Sequence, residues 1–274
     1  MLSRLHDAPL ALLRRSVFAC CLLLGPSIVT PSAADGQSVS YGGTRVGYGW
    51  LNYDYDDLDE FVVSFNSLND SLISGHLSRF EKARGWYFDI EYTVIYGNFV
   101  GMAIGGGLHK YGASNAVTFV NGERQGLDLD IQDLTGHYSI QFYSGRWFVG
   151  PTMTFSRRRI KLDSGIEGIP EIGFPDEQLS GEYSASSYTL NWGAVVGVSL
   201  GRLAFTFRWT RTGSVWQNDR LFDGSTEKLG TEASYFPRDY TQFRSGALPT
   251  SQNAVTTAIR SKQFELSANI TFPF

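Results

Sequence analysis

The chain has 274 residues, a formal net charge of −4 and 42% hydrophobic residues, with 19 Phe, 14 Tyr, 6 Trp and 30 Gly. The acidic balance argues against nucleic acid as a partner. No window approaches the roughly 18 consecutive apolar residues that a membrane-crossing helix requires.

Met1 to Ala34 has the organisation of a secretory signal peptide: Arg14-Arg15 closes a basic stretch, Ser16 to Val29 is mostly apolar, and Ser32-Ala33-Ala34 offers small residues before Asp35. Removing it takes away both cysteines, Cys20 and Cys21, so thiol chemistry and disulfides go with it; the loss of Arg4, Arg14, Arg15 and Asp7 leaves a formal charge of −6 on residues 35–274. A first strand is expected near 44–55. Between Glu60 and Phe80 the runs Phe61-Val62-Val63-Ser64-Phe65 and Leu72-Ile73-Ser74-Gly75-His76-Leu77 could pair across Asn69-Asp70 as a hairpin. The clearest hairpin is Trp86 to Leu108. Trp86, Phe88, Ile90, Tyr92, Val94 and Tyr96 alternate with Tyr87, Asp89, Glu91, Thr93 and Ile95. A turn at Gly97-Asn98 leads to Val100, Met102, Ile104 and Leu108 on one face, with Gly101, Ala103, Gly105, Gly107 and His109 on the other. The unit recurs as Tyr138–Phe142 and Trp147–Phe155 around Ser144-Gly145, and as Tyr188–Leu200 and Leu203–Trp209 around Gly201-Arg202. A last strand lies near 255–274, where every even position from Phe264 to Phe274 is apolar and every odd one is polar or Pro.

Counted this way the wall has eight strands. The alternative is ten, if the 60–80 hairpin joins it, but its strands are short against the ~9–11 residues needed to span a bilayer. Three turns are tight and four connections are long, near 56–85, 112–127, 163–184 and 213–254. The fold expected is therefore all-β: a transmembrane antiparallel up-and-down β-barrel over residues 35–274, with short turns on the periplasmic side and long extracellular loops. Tyr96, Trp147, Phe272 and Phe274 near the short turns, and Trp50, Trp86, Tyr188 and Trp209 near the loops, would form two aromatic girdles.

The other face of these strands is polar and would line the lumen. A charge network is expected from Arg45, Asp89, Glu91, Asp133, Arg146, Arg202, Arg208 and Glu265, because ions in a narrow lumen need partners. Two roles are open for it: a salt-bridged plug, or a charge-lined pathway for small solutes. Arg157, Arg159 and Lys161 at the outer end of the fifth strand could meet lipopolysaccharide phosphates. The spacings suggest neither a metal site nor a cofactor.

The alternating run Phe264, Leu266, Ala268, Ile270, Phe272, ending on Phe274, resembles the C-terminal assembly strand of bacterial outer-membrane barrels. In overall plan the chain resembles the small outer-membrane barrel superfamily that includes the OmpA transmembrane domain, OmpX, OmpW and opacity-type proteins. That resemblance implies the outer membrane as location and an anchoring, adhesive or weakly pore-forming role without enzymatic activity. It implies as partners the barrel-assembly machinery, which would read Phe264, Leu266, Ile270, Phe272 and Phe274, the surrounding lipids and lipopolysaccharide, and an extracellular ligand at the loops. Two enzyme resemblances are partial. His137-Tyr138-Ser139 is similar to the His–Ser pairing of lipid A deacylases, but Ile140 and Gln141 stand where that family continues with Asn. Asp54, Asp56, Asp57, Asp59 and Glu60, with His76, resemble the acidic and histidine rim of outer-membrane proteases, although a solvated loop has the same composition.

Overall fold

In the computed structural model the described residues are 38–97, 99–167, 179–217, 219–224, 235–245 and 249–273. The signal segment and Phe274 lie outside them. Eight long strands form the wall: β1 Ser38–Asp54, β2 Lys82–Tyr96, β3 Val100–Phe119, β4 Arg124–Ser144, β5 Trp147–Glu167, β6 Gly181–Leu200, β7 Leu203–Trp216 and β8 Arg260–Pro273. Each pairs antiparallel with its chain neighbours. β1 also pairs with β8, from Tyr41↔Pro273 to Asp54↔Arg260, which closes the ring and leaves no open edge in the wall. The three sequence-predicted turns are tight, and Gly97 (φ 56°), Gly145 (φ 60°) and Gly201 (φ 68°) supply the left-handed backbone that such turns need.

Two expectations are corrected. The 60–80 segment is no hairpin. Asp56–Asn69 forms helix α1, whose buried residues Leu58, Phe61, Val62, Phe65 and Asn69 recur at helical spacing; a two-residue strand, Ile73–Ser74, follows and pairs with Phe119 and Thr118 of β3. Asp56, Asp57 and Asp59 occupy its first turn, where negative charge meets the positive end of the helix dipole. The connection near 112–127 is mostly strand, since β3 continues to Phe119 and β4 starts at Arg124. The 163–184 connection also shortens, because β5 runs to Glu167 and β6 starts at Gly181, while the 213–254 connection shifts to 217–259, between Trp216 of β7 and Arg260 of β8. The last of these connections carries a short helix, α2 Tyr240–Arg244, capped by the Asp239 side chain on Thr241 N.

The strands are longer than a bilayer needs because the barrel has two storeys of opposite polarity. Toward the short turns, apolar side chains face out and polar ones face in: on β7, Phe205 is 46% exposed and Thr206 is 2% exposed. Toward the other end the faces exchange. On β4, Asp133 is inside and Leu134 outside, but Ile131, Leu129 and Leu127 beyond them are buried while Gln132 and Asp130 face outward. On β5, Arg158 is inside, then Ile160 and Leu162. The upper storey encloses an apolar core of these residues with Leu51, Tyr53, Tyr183 and the buried face of α1. Below, the outward residues meet hydrocarbon and the inward ones can be polar; above, water lies outside and the interior must be dry.

The register is testable directly. Phe205→Arg should cost about 2–4 kcal/mol if the site lies near mid-membrane, whereas Thr206→Ser, which keeps a hydroxyl facing Ser267 Oγ at 2.7 Å, should be almost silent. Denaturant titration of refolded barrels compares them; equal tolerance would shift the register by one residue.

Candidate functional site

The lower storey is filled by ionic groups from seven strands. Arg45 of β1 ion-pairs Glu91 of β2 and lies 3.8 Å from Asp89 Oδ2. Arg208 of β7 reaches across the ring to Asp89 Oδ2 at 3.5 Å and Glu91 Oε2 at 3.8 Å, and lies 3.3 Å from Glu265 Oε2 of β8. Two histidines complete the group. His137 of β4 contacts Glu91 Oε2 at 3.0 Å through Nε2. His109 of β3 places Nε2 2.9 Å from Asp89 Oδ1 and Nδ1 2.9 Å from Glu265 Oε1. His109 thus bridges two carboxylates, and Arg45, Arg208 and the two histidines face Asp89, Glu91 and Glu265. A second pair is self-contained: Arg158 donates from Nε to Asp133 Oδ1 at 2.9 Å and from Nη2 to Asp133 Oδ2 at 2.8 Å, a bidentate fork.

Glycines on β3 make room for this network. A Cβ on Gly107 would overlap the Phe88 carbonyl and the Asp89 carboxylate, and one on Gly105 would sit 2.7 Å from His137 Nε2. Of the eight sequence-predicted network residues, Arg45, Asp89, Glu91, Asp133, Arg208 and Glu265 are buried in the lumen. Arg146 and Arg202 are not. They are exposed in the tight turns, where their carbonyls accept from Ser199 N (2.7 Å) and Thr271 N (2.8 Å). Residues in a turn project from the end of the ring, so strand alternation does not extend to them. The sequence placed His109 and His137 on the inner face without joining them to the network; their position between carboxylates depends on pairing across strands.

Above the network, α1 closes the mouth. Phe61 packs on Phe236 (centroids 4.7 Å apart) and Phe65 on Tyr240 (4.9 Å). Asn66 exchanges two hydrogen bonds with the Leu77 backbone, each 2.9 Å. The acidic run serves as anchorage: Asp57 Oδ2 accepts from Thr256 N (3.0 Å) and Thr256 Oγ1 (2.7 Å), Arg238 lies 3.4 Å from Asp57 Oδ1, and Arg238 also ion-pairs Glu60. Partial burial holds the Asp59 carboxyl above its ordinary pKa, with Arg79 opposing. His76 stands apart from this run, exposed and 3.0 Å from Asp70. His137 is turned to Glu91 inside the lumen, while Ser139 Oγ accepts from Gln141 Nε2 at 3.1 Å.

On the outside, each strand carries an apolar run that stops at a polar residue: Trp50 then Asn52, Trp86 then Arg84, Leu108 then Lys110, Leu134 then Gln132, Phe155 then Arg157, Tyr188 then Ser186, Trp209 then Arg211, Phe264 then Lys262. A closed ring with an outward apolar band, bordered by aromatics at both edges, is the form in which β-strands cross a membrane. The chain is a membrane-spanning β-barrel.

No protein-family model matches the sequence, and no curated protein matches it. Among solved structures the fold is similar to Ail, the attachment invasion locus protein of Yersinia pestis, in complex with the heparin analogue sucrose octasulfate (TM-score 0.42, 10% identity, 85% of this chain and 99% of that one). It is also similar to the outer membrane protease OmpT from Escherichia coli (TM-score 0.38, 9% identity, 90% of this chain and 99% of that one). At such values the likeness is one of barrel to barrel, and the assignment rests on the ring and its belt.

On this barrel Phe264, Leu266, Ile270 and Phe272 of the sequence-predicted assembly signal face outward on the closing strand β8. Arg157 and Arg159 also face outward and line a cleft of about 450 Å³ with Ser184, Ser186 and Arg220. Lys161 is already neutralised, 3.2 Å from Asp163 and 2.9 Å from Glu182.

Two measurements test the site. Glu265→Gln or Arg208→Met alone should destabilise the barrel by about 3–5 kcal/mol, and the double variant should cost less than the sum by at least ~1 kcal/mol. Strict additivity in denaturant titrations would mean that the two are not coupled. Phe61→Ala should cost about 3–5 kcal/mol of local stability and open the 56–80 segment to limited proteolysis, leaving the membrane strands protected.

Proposed function

We propose that this barrel is a closed, non-enzymatic surface protein of the outer membrane, a structural and interaction module with little conductance. The observation that carries this reading is the double closure: a network of ion pairs spans the lumen at membrane depth, and an apolar core sealed by α1 lies directly above it. An ion crossing the barrel would have to displace buried ion pairs and then pass a dry core, each costing several kcal/mol. The surface left for interaction is the outer face of the cap, where Val63 (49%), Leu68 (44%), Leu72 (36%) and Val120 (70%) are exposed on the side away from the membrane. An extracellular partner would meet this tip. The row Phe264, Leu266, Ile270 and Phe272, continued by Phe274, serves as the segment read by the barrel-assembly machinery.

Planar-bilayer recording separates this from the alternative of a narrow porin. The wild type should show almost no steady channels. Replacing residues 56–69 with a Gly/Ser linker should add little by itself while the network is intact; combined with Arg208→Met it should open frequent channels. Large, steady channels in the wild type, unchanged by either alteration, would establish the porin in place of the closed barrel.

A further inference from the structure

Where the lid meets the wall, three polar atoms are shut in without partners. Asp59 sits in the first turn of α1, Tyr53 near the upper end of β1, and Tyr55 on the link between the two elements. Tyr53 is 4% exposed and Tyr55 1%. Among the described residues neither hydroxyl makes a hydrogen bond, and Asp59 Oδ1, also shielded from solvent, accepts none. The three groups are neighbours: the Asp59 charge acts on the Tyr53 phenol, and Tyr53 in turn acts on Tyr55. Other polar residues of the helix are matched. Asp57 accepts from Thr256, Asn66 bonds the Leu77 backbone, and Asn69 donates to the Phe65 carbonyl at 2.9 Å.

An ionised oxygen that loses its water and finds no donor destabilises the closed lid. Burial accordingly raises the Asp59 pKa above its ordinary value. Arg79 and the Phe80 N–H oppose the shift, as does the positive end of the helix, while Glu81 and Asp56 add like charge. Protonation removes the stranded charge and gives the carboxyl a hydrogen to donate toward the phenol oxygens. With its folded pKa above the unfolded one, Asp59 stabilises the closed lid in acid, and that contribution is lost as the pH rises through the raised value.

We propose that Asp59, with Tyr53 and Tyr55, is an acid latch on the lid: protonated, it holds α1 over the apolar core, and ionised, it lets the helix open more often. The inference rests on α1 being the lid, and it is independent of whether the lumen conducts.

Amide hydrogen exchange of the full barrel in detergent tests it. Exchange over residues 57–69, corrected for its intrinsic pH dependence, reads lid opening, and the membrane strands serve as reference. From about pH 7.5 down to about pH 4.5 opening should fall, by up to about tenfold per pH unit across the titration of Asp59. Asp59→Asn, uncharged at every pH, should flatten the profile. Arg79→Gln removes the opposing cation from an exposed position, so it should move the midpoint to higher pH. If Asp59→Asn does not refold, Arg79→Gln carries the test alone. The contacts of Asp57 and Glu60 with Arg238 act in the opposite sense, because protonating either carboxylate removes an ion pair. Opening that is flat or rises in acid, a profile that survives Asp59→Asn, or a midpoint unmoved by Arg79→Gln would each overturn the latch.

Discussion

A strand that leaves the hydrocarbon must exchange its faces, and this architecture follows from that constraint. Within the bilayer the outward side chains are solvated by lipid, so Val46, Ile90, Leu266 and Phe205 can be exposed while Asp89, Glu91 and Arg208 are buried. Above it the outward positions meet water and the wall buries Leu51, Ile131, Ile160 and Tyr183. The wall is one continuous ladder, so the two environments are joined without a break in hydrogen bonding. The exchange accounts for the length of β3 to β6, for the presence of a cap, and for the band of charged side chains where one regime gives way to the other.

Each storey solves its own packing problem. An eight-stranded ring leaves an interior that side chains alone can fill. The lower storey fills it with opposite charges that satisfy one another, aided by Gly105 and Gly107, which let Asp89 and His137 approach the wall. The upper storey is walled mainly by the longer strands β3 to β6, and α1 supplies the missing apolar face. Its polar residues, Asp57, Glu60 and Asn66, fasten it to Thr256, Arg238 and the Leu77 backbone, which makes the lid a fixed part of the fold.

The ion network has the marks of a structural device. Its carboxylates and histidines are matched to one another, and their burial beneath the apolar core separates them from the extracellular surface. Within it Arg45 Nε, Arg208 Nε and His137 Nδ1 have no hydrogen-bond partner among the described residues, and the exterior adds the apolar tip of the cap.

Local pattern settled the wall in advance. The period of two in Trp86–Tyr96, Tyr188–Leu200 and Phe264–Phe272, with glycine-bearing turns between paired runs, points to eight spanning strands with ten left open, and determines their register to lipid and the inward placement of Arg45, Glu91 and Arg208, since alternation is a property of the backbone alone. It failed where the pattern was read against one solvent. The inward apolar residues Leu127, Leu129 and Ile131 continue the same period with the polarity reversed, and only Leu127 falls in the expected 112–127 connection; Phe61 and Phe65 read as a strand, although their spacing with Leu58 and Val62 is helical. Only the closed tertiary structure decided which charges meet. Asp89 lies on β2 and its partners His109 and Arg208 on β3 and β7, and Arg208 reaches it across the lumen, a contact that depends on the circumference of the ring and the stagger of its strands and that no single strand contains.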